Sequence, residues 1–141
     1  MIKIFRNELK VFKALVQELP TDHKVYVEGS TVGHIAFHAA QSANTFLRTH
    51  VLRTMFERNK PAEFGEPHTL EEVNKSLEMA IAACDEIESK KVDLMEKLAS
   101  PIEMIAAGYT LETNLDALTF NLLHLSEHCG ELTQVKRELK A

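Results

Sequence analysis

The sequence lacks tryptophan and contains few residues that interrupt helices, with five glycines and four prolines among 141 residues. These residues cluster, which leaves four long segments nearly free of them and predicts four helices. Only two cysteines are present, Cys84 and Cys129, which is too few for a disulfide framework. We therefore expect reduced core thiols in a cytoplasmic protein. The length is typical of one domain, so we predict a single folded unit over residues 1–141.

Positive charge is also scarce. The 16 lysines and arginines are outnumbered by 21 acidic residues, and this balance argues against binding to nucleic acid. Charged residues within the first ten positions argue against a secretory signal sequence. The 19 residues from 29 to 47 carry no charge, but ten of them are Gly, Ser, Thr, His, Gln or Asn, which is too polar for a membrane span. We therefore expect neither nucleic acid nor a membrane as a partner.

Apolar residues recur every three or four positions in all four segments, as is typical of amphipathic helices. We predict a first helix over residues 2–19, ended by Pro20. The second helix is predicted to begin with Ser30 as its N-cap and to extend into the fifties.

The third helix is predicted to begin at Thr69, which has the capping-box spacing to Glu72, and to continue through Leu98 to Pro101. The fourth is predicted to begin near Thr113 and to continue almost to the end of the chain. The intervening segments are predicted to be loops, at residues 60–68 and 99–112. The pattern predicts no strands.

Four helices that each carry one apolar stripe can bury these stripes against one another. We therefore predict an all-α fold, an antiparallel four-helix bundle. Helix two has no charge from residue 29 to 47, and helix four has none from residue 117 to 126. Helices one and three instead carry charges along a broad solvated face. We expect helices two and four to line a shared interior, where bundles often place their ligand sites.

Four of the seven histidines lie on these uncharged stretches, in two pairs with a spacing of four residues. Side chains at this spacing share one helix face, so two imidazoles can bind one metal ion. The pairs are His34 with His38 and His124 with His128. A helical wheel places His34 farthest from the apolar stripe, at about 140°. The preferred ligand set is therefore His38, His124 and His128, which leaves coordination positions for water or substrate.

Two further residues stand beside this set. His34 is either a fourth ligand or a hydrogen-bonding neighbour. Glu131, one turn beyond His128, is either a hydrogen-bond acceptor or proton carrier behind the ligands or a solvated glutamate. The other three histidines lie near predicted loops or helix ends and are predicted to be surface residues, namely His23, His50 and His68. The alternative for the whole set is structural, with hydrogen-bonded histidines on half-buried faces of a metal-free bundle.

The two histidine segments resemble those of the DinB-like superfamily of metalloenzymes. They are STVGHIAFHAA at residues 30–40 and LLHLSEHCGELT at residues 122–133. The resemblance implies a four-helix bundle in which one histidine from helix two and an H-x-x-x-H pair from helix four hold a divalent metal. These roles match His38, His124 and His128. Two positions depart from the pattern, since Glu131 stands where relatives often have glutamine and His34 where they are often apolar.

The resemblance also implies an S-transferase or isomerase that uses a low-molecular-weight thiol, and a homodimer. We expect a metal-dependent transferase or hydrolase that acts on a small molecule, with zinc or nickel as the cofactor. The sequence identifies no catalytic acid or base. The alternative function is a noncatalytic bundle for binding, sensing or self-association. Because histidine must be neutral to bind a metal, we expect the metal to be lost as the pH falls through about 6.

Overall fold

The computed structural model describes residues 1–25, 30–64 and 68–140, and these parts of the chain are mostly helical. A two-stranded antiparallel sheet lies between the last two helices along the chain. The elements are α1 (Ile2–Gln17), α2 (Val32–Asn44), a π-helical segment (Thr45–Val51) that continues α2, α3 (Lys60–Phe64), α4 (Leu70–Ser89), β1 (Lys97–Met104), β2 (Tyr109–Thr113) and α5 (Asn114–Lys140). The predicted helical character is confirmed, but the prediction of an all-α fold is wrong.

Helix α1 buries one apolar stripe, at the spacing of three and four residues that the sequence predicted. Its buried members are Ile2, Phe5, Leu9, Phe12 and Val16. Both α1 and α2 pack against α4 and α5, so the core lies among these four helices. Burial of apolar surface between amphipathic helices is the main term that stabilises such an arrangement.

Helix α2 begins one residue later than predicted. Its N-cap is Thr31, not Ser30, because the Thr31 hydroxyl accepts a hydrogen bond of 3.1 Å from the backbone N–H of His34. Gly33 in the first turn allows a close approach of other chain segments. A Cβ atom at this position would lie 3.0 Å from the Thr21 carbonyl oxygen and 3.2 Å from the Cβ of His68. Glycine therefore lets the segment at residue 68 pack directly against the start of α2.

The uncharged stretch is explained by burial of α2. Nearly every residue from 32 to 44 is buried, so a charged side chain would be desolvated almost anywhere on this helix. Residue 29, where the uncharged stretch begins, lies outside the described residues. Among the described residues, no helix combines the length and the apolar character needed to cross a membrane.

Helix α4 ends well before Pro101, so the predicted third helix is too long. Its N-cap Thr69 is confirmed, with a hydrogen bond of 3.1 Å from the Glu72 N–H to the Thr69 hydroxyl. The helix stops at Ser89, and Lys91 adopts the left-handed conformation with φ of 51°. This conformation cannot continue a right-handed helix, so the chain leaves the helix axis there.

The segment predicted as a loop over residues 99–112 belongs largely to a β-hairpin. In its regular part Ile102 pairs with Leu111 and Met104 pairs with Tyr109, and the register is irregular between Lys97 and Ile102. Pro101 lies in this irregular part, where the missing N–H of proline does not interrupt a regular ladder. The other predicted loop, over residues 60–68, contains α3 at Lys60–Phe64, while residues 65–67 lie outside the described residues.

Helix α5 begins at Asn114, within one residue of the predicted start. Two reciprocal hydrogen bonds between Thr113 and Asp116 fix this start. The Asp116 N–H donates to the Thr113 hydroxyl at 3.1 Å, and the Thr113 N–H donates to the Asp116 carboxylate at 3.0 Å. The uncharged part of α5 is less buried than that of α2, and its Leu123 is 64% exposed. Leu139, near the end of α5, is exposed as well.

Candidate metal centre

The three histidines predicted as metal ligands lie together between α2 and α5. One nitrogen from each of His38, His124 and His128 can be chosen so that all three lie within 4.8 Å of one another. The ring centroid of His38 is 5.2 Å from that of His124 and 5.2 Å from that of His128. Residues that are 86 or more positions apart in the sequence therefore meet because the two helices pack against each other.

The donor set and its spacing fit a divalent metal ion. The Nε2 atoms of His124 and His128 are 3.1 Å apart. Two nitrogens bound to one zinc ion with tetrahedral angles are about 3.3–3.4 Å apart, so this pair already has nearly the required separation. Neutral imidazole nitrogen suits zinc, nickel, copper and iron. The three donor nitrogens lie within 4.8 Å of one another. Nitrogens at that limit would need to move about 1–1.5 Å closer together for all three to bind one ion.

His34 lies beside this group but outside it. Its ring is nearly parallel to that of His38, with the centroids 6.5 Å apart, and its centroid is 5.9 Å from that of His68. Among the described residues, the histidines that come close enough to share one ion are only His38, His124 and His128. The geometry therefore favours three histidine ligands over four.

Glu131 lies where the sequence placed it, behind His128. Its Oε1 atom is 3.4 Å from Nδ1 of His128. This distance is short enough for an ion pair, yet the buried Nδ1 atom makes no hydrogen bond of good geometry among the described residues. A contact of 3.4 Å without hydrogen-bond geometry contributes little. Glu131 is thus a nearby carboxylate that a small rotation would bring into contact with His128.

Glu63 and Arg58 belong to the site, although the sequence did not predict them. The Glu63 side chain is completely buried, and its Oε1 atom is 2.6 Å from Nδ1 of His38. Arg58 donates to both carboxylate oxygens, from Nε to Oε2 at 2.7 Å and from Nη2 to Oε1 at 2.6 Å. Arg58 Nη2 also donates to the Ser42 hydroxyl at 3.0 Å. Neither residue lies on a long periodic helix, so hydropathy pattern gave no signal for them.

The pKa of Glu63 lies below its usual range. Burial by itself would raise the pKa of this carboxyl group, but the hydrogen bonds from Arg58 and His38 and its electrostatic attraction to these two residues outweigh that effect. Glu63 is therefore a buried carboxylate that stays ionised because its partners compensate for the lost water.

His68 is buried, so the prediction that it is a surface residue is wrong. Its Nε2 atom donates to the backbone carbonyl oxygen of Glu63 at 3.0 Å, and its Nδ1 atom is 3.3 Å from the Glu72 carboxylate. The imidazole also stacks on Phe37, with ring centroids 4.8 Å apart. His68 thus ties the backbone of α3, and with it Glu63, to the N-terminal turns of α2 and α4. The two other histidines predicted at the surface, His23 and His50, are half-buried.

Both cysteines are free thiols, in agreement with the sequence. Cys84 is buried, and burial raises the pKa of its thiol to about 12. Cys129 is only half-buried, although the sequence placed it in the core, and burial again raises its pKa. A thiol with a raised pKa carries little thiolate at neutral pH, so neither cysteine is an activated nucleophile.

His124 should make the metal-free protein less stable in acid. Burial, followed by electrostatic interaction with His128, His38 and Arg58, lowers the pKa of His124 to about 4. The unfolded chain takes up this proton near the ordinary histidine pKa of about 6.5. Folding stability is therefore lost as the pH falls from about 6.5 to about 4, and the loss is complete below that range. We expect a His124→Gln variant to lose less stability than the wild type over this interval.

The measurement is urea unfolding of both proteins at several pH values in the presence of a chelator. The quantity to compare is the change in unfolding free energy of each protein between pH 7 and pH 4, so that contributions common to both proteins cancel. Equal changes in the two proteins would show that His124 titrates normally in the folded state.

In comparisons with known proteins, no family model, no curated protein and no solved structure matches this chain.

Proposed function

We propose that this protein is a metal-dependent enzyme of the DinB-like type that acts on a small molecule as a transferase or hydrolase. The observation that carries the proposal is the meeting of His38, His124 and His128, whose donor nitrogens lie within 4.8 Å of one another. The proposed cofactor is a divalent ion, zinc or nickel, because these ions accept several neutral imidazole ligands. In this proposal the four long helical segments form an antiparallel bundle around the core.

The chemistry follows from an ion with open coordination positions. When bound, such a metal lowers the pKa of a coordinated water or thiol and supplies a nucleophile near neutral pH. The three imidazoles would hold the ion, and their partly buried position would limit access of bulk water to it. Arg58 is paired with the ionised Glu63 carboxylate, so the positive charge that would favour an anionic reactant would come from the bound ion.

The resemblance to DinB-like enzymes supports two further parts of the proposal, a low-molecular-weight thiol as co-substrate and a homodimeric assembly. A bound thiolate would be an anion next to the metal, which suits the positive charge that the ion would supply. The free thiols of Cys84 and Cys129 fit the reducing environment of the cytoplasm, where we place the protein.

Metal content is the direct test of the proposal. The protein is purified without a polyhistidine tag, and its metal is quantified by mass spectrometry. We expect about one divalent ion per chain, and a higher midpoint of thermal unfolding when Zn²⁺ or Ni²⁺ is added to chelator-treated protein. Protein that contains no metal and gains no thermal stability from either ion would overturn the proposal. The metal-loaded protein is then assayed with pairs of a thiol and an electrophile, because turnover distinguishes an enzyme from a metal sensor.

A further inference from the structure

The segment between α2 and α4 reaches the candidate metal centre from outside the two histidine-bearing helices. Glu63 of α3 contacts His38 at Nδ1 with a distance of 2.6 Å. Arg58 holds both oxygens of Glu63, and His68 holds its backbone carbonyl. Glu63 is therefore fixed at its carboxylate and at its backbone carbonyl. Among the described residues, it contacts the candidate ligands through His38.

These contacts determine which nitrogen of His38 carries the proton. A guanidinium group can only donate hydrogen bonds, so the Glu63 carboxylate accepts two of them from Arg58. An ionised carboxylate can only accept, which means that the proton in the 2.6 Å contact with His38 sits on Nδ1. Arg58 Nη2 also lies 3.3 Å from this nitrogen, but a lone pair on Nδ1 would repel the carboxylate oxygen at 2.6 Å, so the shorter contact determines the position of the proton. A neutral imidazole has one N–H, so the lone pair of His38 is then on Nε2.

We propose that Glu63, held by Arg58, is a positioning residue that fixes His38 with its proton on Nδ1 and its Nε2 lone pair available to the metal. This inference rests on the proposed function for its metal partner. Ligand histidines commonly donate their second N–H to a carboxylate, which fixes the ring and makes the ligand nitrogen more basic. His128 lacks such a bond, since Glu131 lies 3.4 Å away with poor geometry. Glu63 is therefore expected to matter more than Glu131.

The first test is made on metal-free protein and needs no metal at all. Long-range ¹H–¹⁵N correlation spectra distinguish an imidazole protonated on Nδ1 from one protonated on Nε2, and the His38 signals are assigned by their loss in His38→Gln. We expect the Nδ1–H form for His38 in the wild type near pH 7.5. The Nε2–H form, or fast exchange between both forms, would overturn the inference.

The second test measures zinc affinity by competition with a chromogenic chelator. We expect Glu63→Gln, which keeps an acceptor oxygen but loses the charge, to weaken zinc binding about 10-fold, and Glu63→Leu to weaken it about 100-fold. The matched control is Glu86→Gln, because Glu86 pairs with Arg48 and contacts neither a candidate ligand nor the residues that hold Glu63. Zinc affinity in Glu86→Gln should equal that of the wild type.

The role of Glu63 can be tested even if Glu63→Gln and Glu63→Leu do not fold. In the double variant Arg58→Met with Glu63→Leu, the buried pair is replaced by apolar groups and no charge is left without a partner. This variant should fold, lose the Nδ1–H preference of His38 and bind zinc about 100-fold more weakly. Unchanged zinc affinity in folded Glu63 variants would refute the positioning role. If the wild type bound no zinc, the proposed function would fail, while the His38 spectra would still decide whether Glu63 fixes the proton.

Discussion

Replacing His124 and His128 together with alanine should abolish metal binding while leaving the helices intact. The two residues supply two of the three candidate donors, and their Nε2 atoms are only 3.1 Å apart. Structural zinc sites in small peptides bind their ion by about 10 kcal/mol or more, so loss of two of three ligands should weaken binding on the order of a thousandfold or more. Alanine has the highest helix propensity, so α5 should persist. Zinc affinity and far-ultraviolet circular dichroism are the two measurements.

The control for this experiment removes two histidines that lie outside the three-histidine group. His23 and His50 are half-buried, and neither takes part in the group. The double variant His23→Ala with His50→Ala should therefore bind zinc like the wild type. If the variant without His124 and His128 bound zinc as tightly as the wild type, the proposed metal site would be contradicted. Unfolding of that variant in metal-free buffer would instead favour histidines as structural packing residues.

The ligand set could be predicted because its signals are local in sequence. The spacing of four residues places His124 and His128 on one face of a helix whatever the rest of the fold does. His38 could be added to the predicted ligand set because both helices have an uncharged stretch, which indicates that other parts of the protein cover these helices. The contacts of the segment that connects α2 and α4 could not be predicted in this way, because they depend on the course of that segment through the fold. Glu63 lies in a helix of five residues, which is too short to show a period.

The errors in the fold also have a physical origin. Apolar residues continue at helical spacing beyond Ser89, and this periodicity extended the predicted third helix to Pro101. The structure buries Leu98 in a strand instead, because the chain turns at Lys91. A short apolar pattern shows which residues are buried but does not distinguish a strand from a helix. His68 was misplaced for a related reason, since a nearby proline and glycine indicated a loop, whereas Gly33 and Phe37 provide a packed site for the ring.

Arg58→Met should destabilise the metal-free protein strongly at neutral pH. The Glu63 carboxylate is completely buried and would lose the guanidinium that donates to both of its oxygens. Removal of one partner from a buried ion pair typically costs about 3–5 kcal/mol, because the remaining charge has neither water nor a counter-ion. We expect a decrease of about 3 kcal/mol in the free energy of unfolding, measured by urea denaturation at pH 7 with a chelator present.

The same substitution in Arg48 is the matched control. Arg48 pairs with Glu86 at 2.7 Å, but 45% of the Glu86 side chain is exposed. Glu86 can turn into water when its partner is removed, so the loss of this ion pair should cost only about 1 kcal/mol. Equal destabilisation by Arg48→Met and Arg58→Met would show that burial of Glu63 does not determine the cost.

The pH dependence of the Arg58→Met variant follows from Glu63. In the wild type its pKa is held below the ordinary value, so ionised Glu63 contributes stability above about pH 4.5 that is lost as the pH falls through the folded value. Without Arg58, burial becomes the dominant effect and raises the pKa of Glu63 above the ordinary value. The variant then gains stability relative to the wild type as falling pH protonates this carboxylate. The difference in unfolding free energy between the two proteins should therefore shrink from pH 7 to pH 5, and a constant difference would exclude an ionised Glu63 as its cause.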